Sequence, residues 1–188
     1  MPPDFGRLLG NLAVPVSTRI ALRRLVTRDA LTSRTPPDFL YTSGYAYRVN
    51  TAASRALYGA EDASTAGAEW ERHARKSPRL LTQVLYFIEI HLPVLDLGDP
   101  AILAALQLTP LDLQARWEFA PTPTKLQHLG DAVARQTRFG AVRFPSDAAF
   151  ARGFAGFNFV IFPSAIIAPM SVVIRDDSGQ KIQGWPAP

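Results

Sequence analysis

Arginine, tyrosine, glutamate and serine side chains along this chain offer the chemistry needed to bind and break a phosphorylated nucleoside. An arginine guanidinium matches a phosphate through two parallel hydrogen bonds, and a tyrosine stacks on a flat ring or bonds a ribose hydroxyl. A glutamate on a helix stabilises an oxocarbenium-like centre or orients a nucleophile. A serine at a strand end can hold its hydroxyl against the substrate. The set suits a ligand with phosphates, ribose and an aromatic base, although any chain of 188 residues offers several such sets.

The segment 48–72, RVNTAASRALYGAEDASTAGAEWER, is where these residue types come closest together. It begins as a polar strand end that contains Arg48. A short apolar run, ALY, follows and reads as a buried strand. The alanines and charges after it favour a helix that carries Glu69. A strand ending in Tyr58 and this helix would direct a phenol, a guanidinium and a carboxylate into one cleft.

Each of these residues also has an ordinary structural interpretation. Tyr58 can be a buried strand aromatic, and Glu69 can be a solvated helix residue or a partner for Arg72. Ser146, which follows a proline, can be a turn residue or a helix cap. Arg24, which follows another arginine, can lie on the surface. Residue types alone leave both interpretations open.

Length and composition indicate one globular domain. Of the 188 residues, 47% are apolar and 19% are charged, which is typical of a folded chain. No apolar run approaches the roughly 18–20 residues that span a bilayer, and the first residues lack the features of a signal peptide. The absence of cysteine excludes disulfides and thiolate chemistry. We therefore expect a cytoplasmic protein without a membrane segment.

Direct nucleic-acid binding and metal catalysis are both disfavoured. The net charge of +4 comes from scattered basic residues, whereas nucleic-acid binders concentrate such charge on one face. The three histidines, His73, His91 and His128, have no metal-ligand spacing, so we expect no metal. The chain also lacks a phosphate-binding P-loop, a dinucleotide fingerprint and a GxSxG elbow.

Helix and strand patterns mix without regular alternation, which favours an α+β fold over a doubly wound sheet. Capping residues predict helix starts at Asp99, Thr109 and Thr124, the last helix covering 125–137. Strands are predicted over 80–97, with a bulge or edge at Pro93, and over 141–145, 157–162 and 171–175.

The ends of the chain give weaker patterns. Residues 5–32 read as helical or mixed, and 20–26 as either a helix end or a first strand. Residues 33–43 read as a loop. The predicted organisation is a helical extension over 1–21, one domain over 22–175 and a loose tail over 176–188.

The order of these elements resembles the RES domain, a family named for its arginine, glutamate and serine. RALYGAEDASTAGAEWER is similar to the family's Leu-Tyr strand end, followed by Ala-Glu-x and a helix with the glutamate, which assigns Tyr58 and Glu69. YRVN resembles the family's Gly-Arg-Trp-Asn element; it keeps Arg48 and Asn50 but loses the glycine and the tryptophan. RRLV resembles the first-strand arginine, here Arg24.

The second half of the chain carries the remaining elements of the resemblance. IEIHLPVLDLGDP is similar to the family's central strand with its Leu-Asp-Leu ending. FGAVRFPSDAAFARGFAGFNFVIFP resembles a Gly-Ile-x-Tyr-Pro-Ser segment followed by Asn-Leu-Val-Leu-Phe, which assigns Ser146 and Asn158. The resemblance covers residues 22–165, and the first twenty residues lie outside it.

The resemblance implies a single domain with a fold like that of ADP-ribosyltransferases and a role as the toxin of a bacterial toxin–antitoxin pair. Family members consume NAD as a substrate, by phosphorolysis or hydrolysis of the nicotinamide–ribose bond, and some modify proteins instead. The implied partners are NAD, inorganic phosphate and an Xre-type DNA-binding antitoxin that blocks the pocket, with a homodimer inside the complex. A degenerate domain that only binds its antitoxin is a further possibility.

The resemblance assigns catalytic roles to Arg24, Tyr58, Glu69 and Ser146. Arg24 would hold phosphates or position the ribose, and Tyr58 would face the nicotinamide ribose. Glu69 would stabilise the developing positive charge. Ser146 would hydrogen-bond the nicotinamide or the nucleophile.

Substrate binding is assigned in the same way to Arg48, Asn50 and Asn158. Arg48 would share with Arg24 the task of holding phosphates or the ribose. The two asparagines would supply supporting contacts.

Overall fold

The computed structural model describes residues 2–27, 44–74 and 83–186, and these form a single α+β domain in which helices flank a mixed sheet. The helices are α1 (Phe5–Asn11), α2 (Ala63–Ala74), α3 (Pro100–Ala105), α4 (Pro110–Leu113), α5 (Lys125–Ala134) and α6 (Asp147–Phe150). The strands are β1 (Thr18–Thr27), β2 (Leu57–Ala60), β3 (Gln83–Leu92), β4 (Val94–Asp96), β5 (Ala141–Pro145), β6 (Phe157–Ile161), β7 (Ser171–Arg175) and β8 (Lys181–Trp185). Short 3₁₀ turns cover Trp117–Phe119 and Pro163–Ala165.

The eight strands form one sheet in the order β4-β5-β6-β2-β1-β3-β7-β8. All neighbours are antiparallel except β4 and β5, which run parallel. β1 and β3 pair over their full length, whereas β1 meets β2 only at Arg23 and Ala60. The sheet therefore has two halves joined at a weak seam between β1 and β2. The mixed sheet and its helices confirm the predicted α+β class.

Two apolar clusters pack on the two faces of the sheet. One joins α1, α3 and α5 to side chains such as Val142 and Val160 on β5 and β6. The other joins the opposite face of these strands, including Phe159, to Ile88 and Val172 of the other half. The sheet therefore curls around the second cluster. Each fully buried leucine or isoleucine contributes about 1.5–3 kcal/mol.

The predicted helix starts are confirmed by their capping contacts. The Asp99 carboxylate accepts a hydrogen bond from the backbone N–H of Ala101 at 2.8 Å. Thr109 and Thr124 each form a capping box with the residue three positions later. α5 ends at Ala134, before the predicted end at 137. The segment around 20–26, which the sequence left open, is a strand.

One predicted strand was wrong, and one predicted boundary falls inside a strand. Residues 80–97 do not form one strand with a bulge, because Pro93 separates β3 from β4, which lie in different halves of the sheet. The alternative of an edge at Pro93 agrees with the position of β4 at the end of the sheet. Proline has no N–H for the ladder, so the chain leaves one partner there and joins another. β1 begins at Thr18, so the predicted boundary at residue 21 falls inside this strand, although α1 agrees with a helical start.

The C-terminal segment is not a loose tail, because residues 181–185 form β8 against β7. The Asp176 carboxylate fixes the hairpin turn by accepting from the N–H groups of Ser178 and Gln180. Ile182 and Trp185 then pack against the second apolar cluster. The predicted loop over 33–43 lies outside the described residues.

Candidate active site

A cavity of about 310 Å³ opens between β1, β2, α2 and the end of β5. Five of the seven residues assigned from the sequence line it: Arg24, Arg48, Tyr58, Glu69 and Asn158. The other two, Ser146 and Asn50, lie directly behind this lining. Ser146 bonds Glu69, and Asn50 bonds Tyr58. The fold thus brings together residues that are up to 134 positions apart, from Arg24 to Asn158.

Glu69 is held by one of its two carboxylate oxygens. The Ser146 hydroxyl donates to Oε1 at 2.7 Å, and the Asn158 amide donates to the same oxygen at 2.6 Å. No donor within the described residues contacts Oε2. Ser146 and Asn158 are both buried, so the carboxylate is oriented by groups that have little freedom. One oxygen is fixed, and the other is available to a ligand.

Ser146 is the helix cap that its sequence position allowed, and it also contacts Glu69, which the sequence did not predict. It is the N-cap of α6, where its Oγ accepts a hydrogen bond from the N–H of Ala149 at 3.1 Å. The same hydroxyl donates to Glu69. The cap fixes the position of the hydroxyl oxygen, and the hydroxyl proton is then directed at the carboxylate.

Arg24 carries an unsatisfied buried donor. Its Nε is shielded from solvent, and no acceptor in the described part of the chain bonds it. Burial lowers the pKa of the Arg24 guanidinium from its ordinary value, and the nearby Tyr47 and Glu69 oppose that shift. Leaving a buried N–H unpaired costs about 1–3 kcal/mol, so such a group in a cavity calls for a ligand acceptor. The alternative that Arg24 lies on the surface is wrong.

Tyr58 offers its ring rather than its hydroxyl to the cavity. The hydroxyl accepts from the N–H of Val49 and donates to Asn50 Oδ1, both at 3.0 Å. The ring packs edge-on against Phe144 and lies 5.8 Å from the Tyr47 ring. Burial raises the pKa of Tyr58 well above its ordinary value, although the arginines nearby oppose that shift. The phenol therefore stays protonated.

Asn50 and Arg48 lie in a tight turn, not at the predicted strand end. Asn50 is completely buried, and its amide donates to the carbonyls of Tyr45, Thr51 and Ser54. The structure therefore does not bring Asn50 to the cavity surface. Its contacts hold the turn in place.

Arg48 lines the cavity with both of its terminal nitrogens already bonded to protein groups. Nη1 donates to the carbonyl of Leu113 at 2.9 Å, and Nη2 forms an ion pair with Asp147. These two partners come from α4 and α6. Arg48 thereby joins three separate segments at the cavity wall.

Several cavity residues were not found by sequence reasoning. Tyr47 and Trp117 line the wall with rings 5.6 Å apart. Arg72 and Asp147 also line the cavity, with partly exposed side chains. Tyr47 stands inside the quoted YRVN motif, and Asp147 directly follows Ser146, so adjacency is the signal that could have found them. Trp117 comes from a remote 3₁₀ turn, and nothing local in the sequence marks it.

The described residues contain neither a group of metal ligands nor a helix that could span a membrane. No three histidine, aspartate or glutamate side chains in the described part of the chain are grouped so that they could hold a metal ion. None of the helices within residues 2–27, 44–74 and 83–186 is long and apolar enough to cross a bilayer.

Comparison with known protein families gives a match over most of the chain. The family model of the RES domain matches residues 21–183, which include every residue of the site described above. No curated protein matches the chain. Because the family match covers most of the sequence, the chain belongs to the RES domain family.

Proposed function

We propose that this protein is a toxin that cleaves the bond between nicotinamide and ribose in NAD. Membership of the RES family supports an NAD-related, toxin-like activity in general terms. The observation that carries the specific proposal is Glu69, held through Oε1 by Ser146 and Asn158 with Oε2 left to the cavity. A carboxylate fixed in this way can stabilise a positive charge that develops on a sugar carbon.

Cleavage requires that the bond between the ribose C1 and the nicotinamide nitrogen breaks and that its electron pair leaves with nicotinamide. The sugar carbon then has oxocarbenium character, which the negative charge of Glu69 stabilises. An oxygen of water or phosphate forms the new bond to C1, and the proton of the nucleophile passes to a base or to solvent. Among the described residues, the free Oε2 of Glu69 is well placed to orient that nucleophile.

The other cavity residues suit the remaining parts of the substrate. The unpaired Arg24 Nε is a donor for a phosphate or ribose oxygen. The rings of Tyr47, Tyr58 and Trp117 offer apolar faces to a flat heterocycle. A volume of about 310 Å³ is at the lower end for ligand sites. We therefore expect the nicotinamide and its ribose to enter, with the rest of the dinucleotide at the mouth.

The test is to incubate purified, antitoxin-free protein with NAD and to measure nicotinamide release by chromatography. We expect release by the parent chain and its loss in Glu69→Gln. Glu71→Gln is the matched control, because Glu71 lies on the same helix but pairs with the exposed Arg152. Folded protein that releases no nicotinamide, with or without phosphate, would refute the proposal.

The products separate the possible reactions. ADP-ribose formed without phosphate indicates hydrolysis, and ADP-ribose 1-phosphate formed only with phosphate indicates phosphorolysis. Radiolabelled NAD whose ADP-ribose label ends on a protein would instead indicate protein ADP-ribosylation. The same bond would break, but the result would contradict water or phosphate as the nucleophile.

The proposal extends to the biological setting. We expect expression of the chain in bacteria to deplete NAD and stop growth, and expression of Glu69→Gln to do neither. An Xre-type antitoxin would restore growth by binding at the cavity mouth, and size-exclusion chromatography with light scattering would test for a homodimer in that complex. Growth arrest by Glu69→Gln would show that toxicity does not depend on this site.

A further inference from the structure

The guanidinium of Arg48 is bound on two sides by groups of the protein itself. Its Nη1 donates to the Leu113 carbonyl at 2.9 Å, and its Nη2 pairs with Asp147. The side chain is only 13% exposed. Arg24, by contrast, keeps a buried Nε with no acceptor among the described residues. The two arginines therefore differ in how much of their hydrogen-bonding capacity a ligand could use.

Asp147 connects Arg48 to the catalytic carboxylate. Asp147 directly follows Ser146 and begins α6, and Ser146 donates to Glu69 Oε1 at 2.7 Å. A side chain that fixes Asp147 therefore also restricts the backbone from which the Ser146 hydroxyl projects. Arg72 reaches the same Asp147 oxygen at the longer distance of 3.8 Å and is 39% exposed, so it restrains Asp147 less.

Arg48 projects from the 47–50 turn, which packs against α5. The Gln127 amide of α5 donates to the Tyr47 carbonyl at 2.8 Å. Gly130 of α5 lies against the Val49 carbonyl so closely that a Cβ there would stand 1.6 Å from its oxygen. The turn is therefore docked on a core helix and provides a fixed base for the Arg48 side chain.

We infer that Arg48 is a positioning residue, which holds Asp147 and thereby keeps the Ser146 hydroxyl on Glu69, rather than a ligand for a substrate phosphate. The inference rests on the proposed function for its catalytic consequence, but its structural part does not. The Arg48 end of this ion pair is shielded, whereas Asp147 is 35% exposed. Removing Asp147 is therefore the costlier change, because it leaves the mostly buried Arg48 charge without its partner. The pair therefore fixes the start of α6 more firmly than an exposed pair would.

The test uses Arg48→Met, Asp147→Asn, the double variant, and Arg152→Met as the matched control. Arg152 forms an ion pair with Glu71 and so also links the region of α6 to α2, but it does not hold Asp147. The first readout is amide exchange of Ala149, whose N–H donates to the Ser146 oxygen. We expect exchange about tenfold faster in both single variants and unchanged in the control. This readout needs no NAD, so unchanged exchange in both single variants would refute the inference even if the proposed reaction failed.

The second readout separates positioning from phosphate binding. We expect kcat for NAD cleavage to fall about tenfold in each single variant and no further in the double variant, because both changes break one contact. The Kd of ADP-ribose, measured by calorimetry, should stay within about threefold of the parent value. A Kd weakened tenfold or more by Arg48→Met, with kcat preserved, would identify Arg48 as a phosphate ligand. Tighter ADP-ribose binding by Asp147→Asn would make Asp147 a competitor of the phosphate and would equally overturn the inference.

Discussion

Two neighbouring parts of the cavity differ in how many of their polar groups are hydrogen-bonded within the protein. The cleft pair, Arg24 and Glu69, keeps hydrogen-bonding capacity that the described residues do not use: Nε of the arginine and Oε2 of the glutamate. The 47–50 turn beside it is bound on all sides, through the side chains of Arg48 and Asn50 and through the backbone of Tyr47 and Val49.

This difference distinguishes residues that can bind a ligand from residues that stabilise the cavity wall. An unsatisfied buried group destabilises a fold unless a ligand completes it, so it is expected where a ligand binds. A group whose hydrogen bonds are made within the protein contributes to stability and has less capacity left for a ligand. Both kinds of residue were assigned to substrate from their sequence motifs, because a motif reports which residue is present and not whether its bonds are already taken.

The largest effect should come from Glu69→Gln in the cleft pair. Glutamine keeps the size of the side chain and an oxygen that accepts from Ser146 and Asn158. It loses the negative charge, and an NH₂ donor replaces the free Oε2 acceptor. We expect NAD cleavage to fall about a thousandfold, the usual scale for a group that stabilises transition-state charge, with the urea midpoint little changed. Single-turnover measurements check the rate. An activity within tenfold of the parent would show that the charge of Glu69 is not used.

The next largest effect should come from Gly130→Ala, which disrupts the packing of α5 against the 47–50 turn. A Cβ at Gly130 would lie 1.6 Å from the Val49 carbonyl oxygen and 3.1 Å from the Phe162 ring, so α5 and the turn must move apart. We expect the free energy of unfolding to fall by about 3 kcal/mol. Gly67→Ala on α2 is the control; it has open space around it and should stabilise the protein by about 0.5–1 kcal/mol. Equal unfolding curves for the two variants would contradict the close packing.

Arg24→Met tests the other half of the comparison, since removing an unsatisfied cation should help the free protein and harm binding. We expect the Kd of ADP-ribose to rise about 30-fold, which is about 2 kcal/mol for a charged hydrogen bond, while the free energy of unfolding stays level or increases. Calorimetry and urea denaturation give the two values. Arg19→Met is the control on the same strand, because Arg19 is exposed and pairs with Glu89. A marked loss of stability without weaker binding would place Arg24 with the supporting residues.

Sequence reasoning succeeded where the signal is local. The caps Asp99 and Thr124 act within one helical turn, so their residue types predict them. The short strand ending near Tyr58 and the helix of Glu69 are likewise encoded in adjacent residues. These elements are also the ones on which the family motif depends.

The features that sequence reasoning missed depend on contacts between distant segments. The residues near Pro93 do not indicate that β3 and β4 belong to different halves of the sheet. That difference arises because β3 pairs with β1 and β7, whereas β4 pairs with β5. Residues 181–185 are polar enough to read as a tail and become a strand because β7 offers an edge. Asp147 is paired mainly with Arg48, which reaches it from a remote turn that adjacent residues do not reveal.

The smallest effect should come from Tyr58→Phe, which decides to which of the two groups Tyr58 belongs. The change keeps the ring in the cavity and removes the hydroxyl that accepts from the buried Val49 N–H. We therefore expect the free energy of unfolding to fall by about 1 kcal/mol, while kcat and KM for NAD stay within about threefold of the parent values. Tyr45→Phe, at an exposed position, should change neither property. A loss of kcat greater than tenfold at unchanged stability would mean that the hydroxyl leaves the turn to contact the substrate, and Tyr58 would then belong with Arg24 and Glu69.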